Sequence, residues 1–86
     1  MQIKILVVDD SESDRLIIQK MLGEYCIYTA GDGLEAIDVL EKTEGVNLLI
    51  LDLNMPKMTG FQVLEFLKED ESFKNLRTII LTNHDE

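Results

Sequence analysis

Apolar positions along this chain follow two alternating rhythms. Four short runs, Ile3 to Val8, Cys26 to Ala30, about Val46 to Asp52 and Thr78 to Leu81, are rich in β-branched and other apolar residues and read as strands. Leu48, Leu49, Ile50 and Leu51 are apolar without alternation, which suits a strand covered on both faces of a parallel sheet. Between the runs, apolar residues recur at helical spacing. Ser11, spaced to Asp14 like a capping box, opens a helix to about Gly23, with Ile17, Ile18, Met21 and Leu22 expected inward. After a Gly31-Asp32-Gly33 turn, Asp32 with Glu35 caps a helix from Leu34 to about Lys42, inward through Ala36, Ile37 and Leu40. Thr59 with Gln62 caps a third, with Phe61, Leu64 and Leu67 inward and Glu65, Lys68 and Glu69 toward water. Asp70 to Asn75 reads as a polar connection. The β-α-β-α-β-α-β alternation over residues 1–86 predicts one α/β domain, a parallel sheet with right-handed crossovers and helices on both faces.

Two of the runs end on carboxylates. Asp9 and Asp10 close the first and Asp52 closes the third, and open α/β sheets bind ligands beyond the carboxyl ends of their strands. Pro56 has no backbone donor for a ladder, so the residues after Asp52 should form a loop over that strand end. Each Asp alone is adequately explained as a turn former or helix cap. If the first and third strands are neighbours, however, the three converge, and like charges about 4 Å apart cost on the order of 4 kcal/mol per pair at an effective dielectric near 20. Such a rim calls for a cation or for raised pKa values. Mg²⁺ fits best, because it takes oxygen ligands, binds through one or two carboxylates and is completed by water and phosphate oxygens. A carboxylate beside Mg²⁺ can also attack phosphorus, and Thr82, at the end of the last strand, can offer its hydroxyl to a phosphoryl oxygen.

Composition narrows the partners. With 17 acidic against 8 scattered basic residues and a formal charge of −9, the surface does not suit nucleic acid, which needs clustered Lys and Arg. Cys26 is the only cysteine, which excludes a disulfide framework and agrees with a reducing, cytoplasmic setting. No apolar stretch nears the roughly 18 residues a membrane span needs, and the acidic start does not resemble a signal peptide. Lys57 and His84 read as solvated, and Met55, Met58 and Phe61 as packing.

ILVVDDS followed by an Arg-bearing helix, then DGLEAI, then LLILDLNMPKMTGFQVL, then IILTN, together resemble the receiver domain of a two-component response regulator. The resemblance runs over nearly the whole chain. It implies a flavodoxin-like doubly wound parallel sheet of order 2-1-3-4 across these strands. It also implies roles. Asp52 would accept a phosphoryl group from the phosphohistidine of a sensor histidine kinase or phosphotransfer protein. Asp10 would ligate Mg²⁺ directly and Asp9 largely through water, with Asp52 and the backbone carbonyl of Asn54 completing the metal shell. Thr82 would move toward the phosphoryl group and signal to the surface. The protein would be a phosphoacceptor and not an enzyme beyond its own phosphorylation and dephosphorylation.

The sequence departs from that pattern after its fourth strand, where the family continues through a further helix, strand and helix carrying a phosphoryl-pairing Lys and a switching aromatic residue. The run Thr78 to Leu81 would then be an apolar sheet edge, to be covered by pairing with itself or swapping in a homodimer, or by another chain that completes the fold. Asn83 stands where the family often has a small residue, with consequences for phosphoryl lifetime. Two other classes stay open. An Asp-nucleophile phosphatase of the haloacid-dehalogenase type needs a second Asp two residues after the first, where this chain has Asn54. The other is an interaction module whose acidic rim is inert.

Overall fold

The computed structural model describes residues 2–55 and 57–81. Four parallel strands, β1 (Lys4–Val8), β2 (Cys26–Ala30), β3 (Leu48–Asp52) and β4 (Arg77–Leu81), stand in the order β2-β1-β3-β4, as the resemblance implies. Three helices, α1 (Glu12–Met21), α2 (Gly33–Lys42) and α3 (Gly60–Glu69), form the crossovers. The supposed polar connection after α3 holds a short 3₁₀ turn, Glu71–Phe73, whose Phe73 packs on the core and lies 6.0 Å, centroid to centroid, from Phe66.

Side chains of alternating strand positions build two apolar layers. Leu6, Val8, Leu49 and Leu51 meet Ala36 and Leu40 of α2 and Val63 of α3 on one face. Ile5, Val7 and Ile50 meet Ile18 and Leu22 on the α1 face. The helix starts are capped as their sequences suggest. Ser11 Oγ accepts from the Asp14 amide, Asp32 Oδ1 from the Glu35 amide, and Thr59 with Gln62 forms a reciprocal capping box. The reciprocal half is missing at Ser11, whose own amide donates to Asp9 Oδ1.

Several expectations shift. The strands begin at Lys4, Leu48 and Arg77, and α2 begins at Gly33, because Gly33 belongs to the first helical turn. A Cβ there would come within 2.6 Å of the Met58 carbonyl oxygen, so the absent side chain lets α2 and the loop before α3 touch. Ile17 and Met21 are 56% and 74% exposed and not inward. Among the described helices α1 lies alone on its sheet face, and a single helix there buries one narrow stripe, here Ile18 and Leu22. In α3 the buried stripe is Gly60, Val63, Leu64 and Leu67, at spacings of three and four. Phe61 is exposed, since a run at every third residue drifts around a helix of 3.6 residues per turn. Similarly Val39 packs against the core where Ile37 was expected.

Candidate functional site

Parallel pairing sets Val8 opposite Leu51, so the next residue of each strand, Asp9 and Asp52, emerges at the same rim. One carboxylate oxygen from each of Asp9, Asp10 and Asp52 lies within 4.8 Å of the others. Asp9 and Asp52 are 6% and 9% exposed, whereas Asp10 faces solvent. They line a cleft of about 390 Å³ together with Ser11, Asp14, Asn54 and Leu81. The sequence-predicted convergence of the three acids is therefore present. Thr82, and with it Asn83 and His84, lies outside the described residues.

Local backbone geometry holds two of the acids in place. Asp9 Oδ1 accepts the Ser11 amide at 2.9 Å and Asp52 Oδ1 accepts the Asn54 amide at 3.0 Å. Each is an Asx-type turn that leaves lone pairs free for another partner. Burial pushes the Asp9 carboxyl above its usual range; the Ser11 amide opposes this, and the charges of Asp52, Asp14 and Asp10 add to it. Repulsion within the rim is thus only partly relieved by the protein itself.

Other charged groups near the strand ends complete the picture. Asp14, named only as a capping partner, lines the cleft. Lys57 adopts a left-handed φ of 65° and its Nζ lies 3.5 Å from Asp32 Oδ2 at the start of α2, while its side chain stays largely exposed, as the sequence reading expected. Arg15 donates from Nη1 to the backbone carbonyl of Asp9 at 2.6 Å. A basic residue one helical turn beyond an acidic strand end was the available signal. Met55 and Met58 do pack on the core, whereas Phe61 does not.

The structure thus defines a parallel α/β sheet domain with a carboxylate cluster at its strand ends, and comparison narrows the class. The family model described as the response regulator receiver domain matches residues 5–86. This chain belongs to that family. It is 35% identical over 81 residues to the two-component response regulator ORR3 of Oryza sativa, covering 92% of this chain and 62% of the relative. It is 38% identical over 82 residues to the chemotaxis protein CheY homolog of Campylobacter jejuni, covering 92% and 63%. The chain thus spans less than two thirds of the length of these relatives. Among solved structures, the chemotaxis protein CheY4 of Vibrio cholerae superposes with a TM-score of 0.90 at 33% identity, over 100% of this chain and 72% of that one. The flavodoxin-like sheet expected from the sequence is the one observed. No described helix is long and apolar enough to cross a membrane.

Proposed function

We propose that this chain is a phosphoacceptor module that receives a phosphoryl group on Asp52 from the phosphohistidine of a sensor kinase or phosphotransfer protein, in the cytoplasm. What supports the reading above all is the meeting of Asp9, Asp10 and Asp52 within 4.8 Å at the strand ends of a receiver fold. The donor set is all oxygen and suits Mg²⁺, which Asp10, Asp52 and the Asn54 carbonyl would hold directly and Asp9 largely through water. When bound, the ion supplies charge neutralisation for the incoming phosphoryl oxygens.

The remaining steps fall to the chain's own residues. The Asn54 amide engages Asp52 Oδ1 and fixes the carboxylate plane, which leaves Oδ2 to attack. As the new O–P bond forms, the P–N bond of the donor breaks and the imidazole leaves with its electron pair. The near-burial of Asp52 limits competing water. Catalysis extends no further than the chain's own phosphorylation and dephosphorylation. Titration with beryllium fluoride and Mg²⁺ tests the reading: saturable binding is expected, and its loss in Asp52→Asn. An absence of binding, or equal binding by the variant, would refute phosphoacceptance and favour an inert interaction module.

A further inference from the structure

The Asp10 carboxylate is exposed and makes no side-chain hydrogen bond to another described residue, so its direction depends on the backbone beneath it. That backbone is held on both sides. The Asp9 amide donates to the Ala30 carbonyl at 3.1 Å, and the Asp9 carbonyl, in the peptide leading into Asp10, accepts from Arg15 Nη1 at 2.6 Å. Arg15 itself rests on the loop between β2 and α2. A Cβ on Gly31 would stand 3.2 Å from Nη1, so the glycine leaves the guanidinium room that a side chain would take. Glu35 holds Gly31 in place, its Oε1 accepting the Gly31 amide at 2.8 Å. Neither ion pair among the described residues, Lys42 with Asp38 or Lys57 with Asp32, engages a rim carboxylate. Arg15 thus directs its donor to a carbonyl and leaves the acids available to a cation.

We infer that Arg15, given room by Gly31, is a positioning residue for the rim: it fixes the peptide between Asp9 and Asp10 and thereby aims the Asp10 carboxylate at the ion. The inference rests on the Mg²⁺ reading above. Loss of a partner that orients a metal ligand costs about tenfold in affinity or more. Mg²⁺ titration by calorimetry and by amide NMR should therefore show about tenfold weaker binding in Arg15→Gln. The metal-free amide shift changes should be confined to residues near 9–11 and 31. Arg15→Lys, with a single shorter donor, should fall between the two. Gly31→Ala keeps Arg15 but crowds its guanidinium, and should weaken binding in the same direction by less.

A folded Arg15→Gln that binds Mg²⁺ like the unaltered protein overturns the inference, as do shift changes spread across the sheet, which would mark a general structural role. If Arg15→Gln fails to fold, Arg15→Lys and Gly31→Ala carry the comparison, and unaltered affinity in both is equally fatal. Failure of the unaltered protein to bind Mg²⁺ removes the functional reading and this inference together.

Discussion

Val8 and Leu51 are fully buried, and one residue later in the same strands Asp9 and Asp52 are almost as deep. The depth hardly changes, while the chemistry inverts. Below the step, Val8 and Leu51 join a packed layer closed by α2 and α3. Above it, carboxylates share a cleft with one another and with two backbone amides. The lesson is that the domain separates a packed apolar layer from a carboxylate cluster by a single peptide, using the register that aligns Val8 with Leu51. No long loop has to carry the acids to each other.

Substitutions on either side of that step should behave in opposite ways. Leu51→Ala, below it, should lower unfolding free energy by about 3 kcal/mol, the usual scale for emptying a packed leucine site. Urea denaturation checks this, and a loss under about 1 kcal/mol would break the contrast. Above the step, Mg²⁺ at about 100 times its dissociation constant should stabilise by about 2.7 kcal/mol through mass action, read as a rise in melting temperature. An unmoved melt would mean the acids do not act as a metal site. Asp52→Asn without metal should be equally or more stable, because it removes like-charge repulsion from the nearly buried rim. A clear destabilisation would show that the charge was doing structural duty.

A smaller effect should follow pH. The Asp9 carboxyl titrates above its ordinary 3.8 in the folded chain, so the folded state holds its proton more tightly than the unfolded one. Its contribution favours folding in acid and is lost as pH rises through the raised value. The difference in metal-free stability between Asp9→Asn and the unaltered chain should therefore grow in the variant's favour over that rise, as equilibrium denaturation at several pH values would reveal. Smallest of all, Ile17→Ala should change stability by no more than about 0.5 kcal/mol, since that side chain is over half exposed. A loss of 2 kcal/mol or more would show that α1 has a covered outer side.

How much the sequence disclosed varied with how far each signal was local. Capping residues Ser11, Asp32 and Thr59 were legible because the bonds they make span three residues. The acids at positions 9, 10 and 52 were legible because each ends an apolar run, and parallel strands begin and end together. The orientation of a helix is not local. Leu16, Ile17 and Ile18 are three apolar residues in succession, and only the packed sheet selects Ile18. Phe61 misled for a related reason: its apolar bulk matched the pattern, but the neighbouring Val63 has the angle that faces the sheet. Arg15 was hidden because its partner is a backbone carbonyl, which carries no residue identity.

Gly60 bears on how closely α3 can be mounted. A methyl group at that position would sit 2.6 Å from the Asp52 carbonyl oxygen and 2.7 Å from the Leu53 Cα, both main-chain atoms with no room to yield. The helix is consequently seated directly on the peptide that bears Asp52, with no intervening side chain as a cushion. One missing carbon atom sets the separation of these two parts, and every other amino acid at residue 60 would wedge them apart.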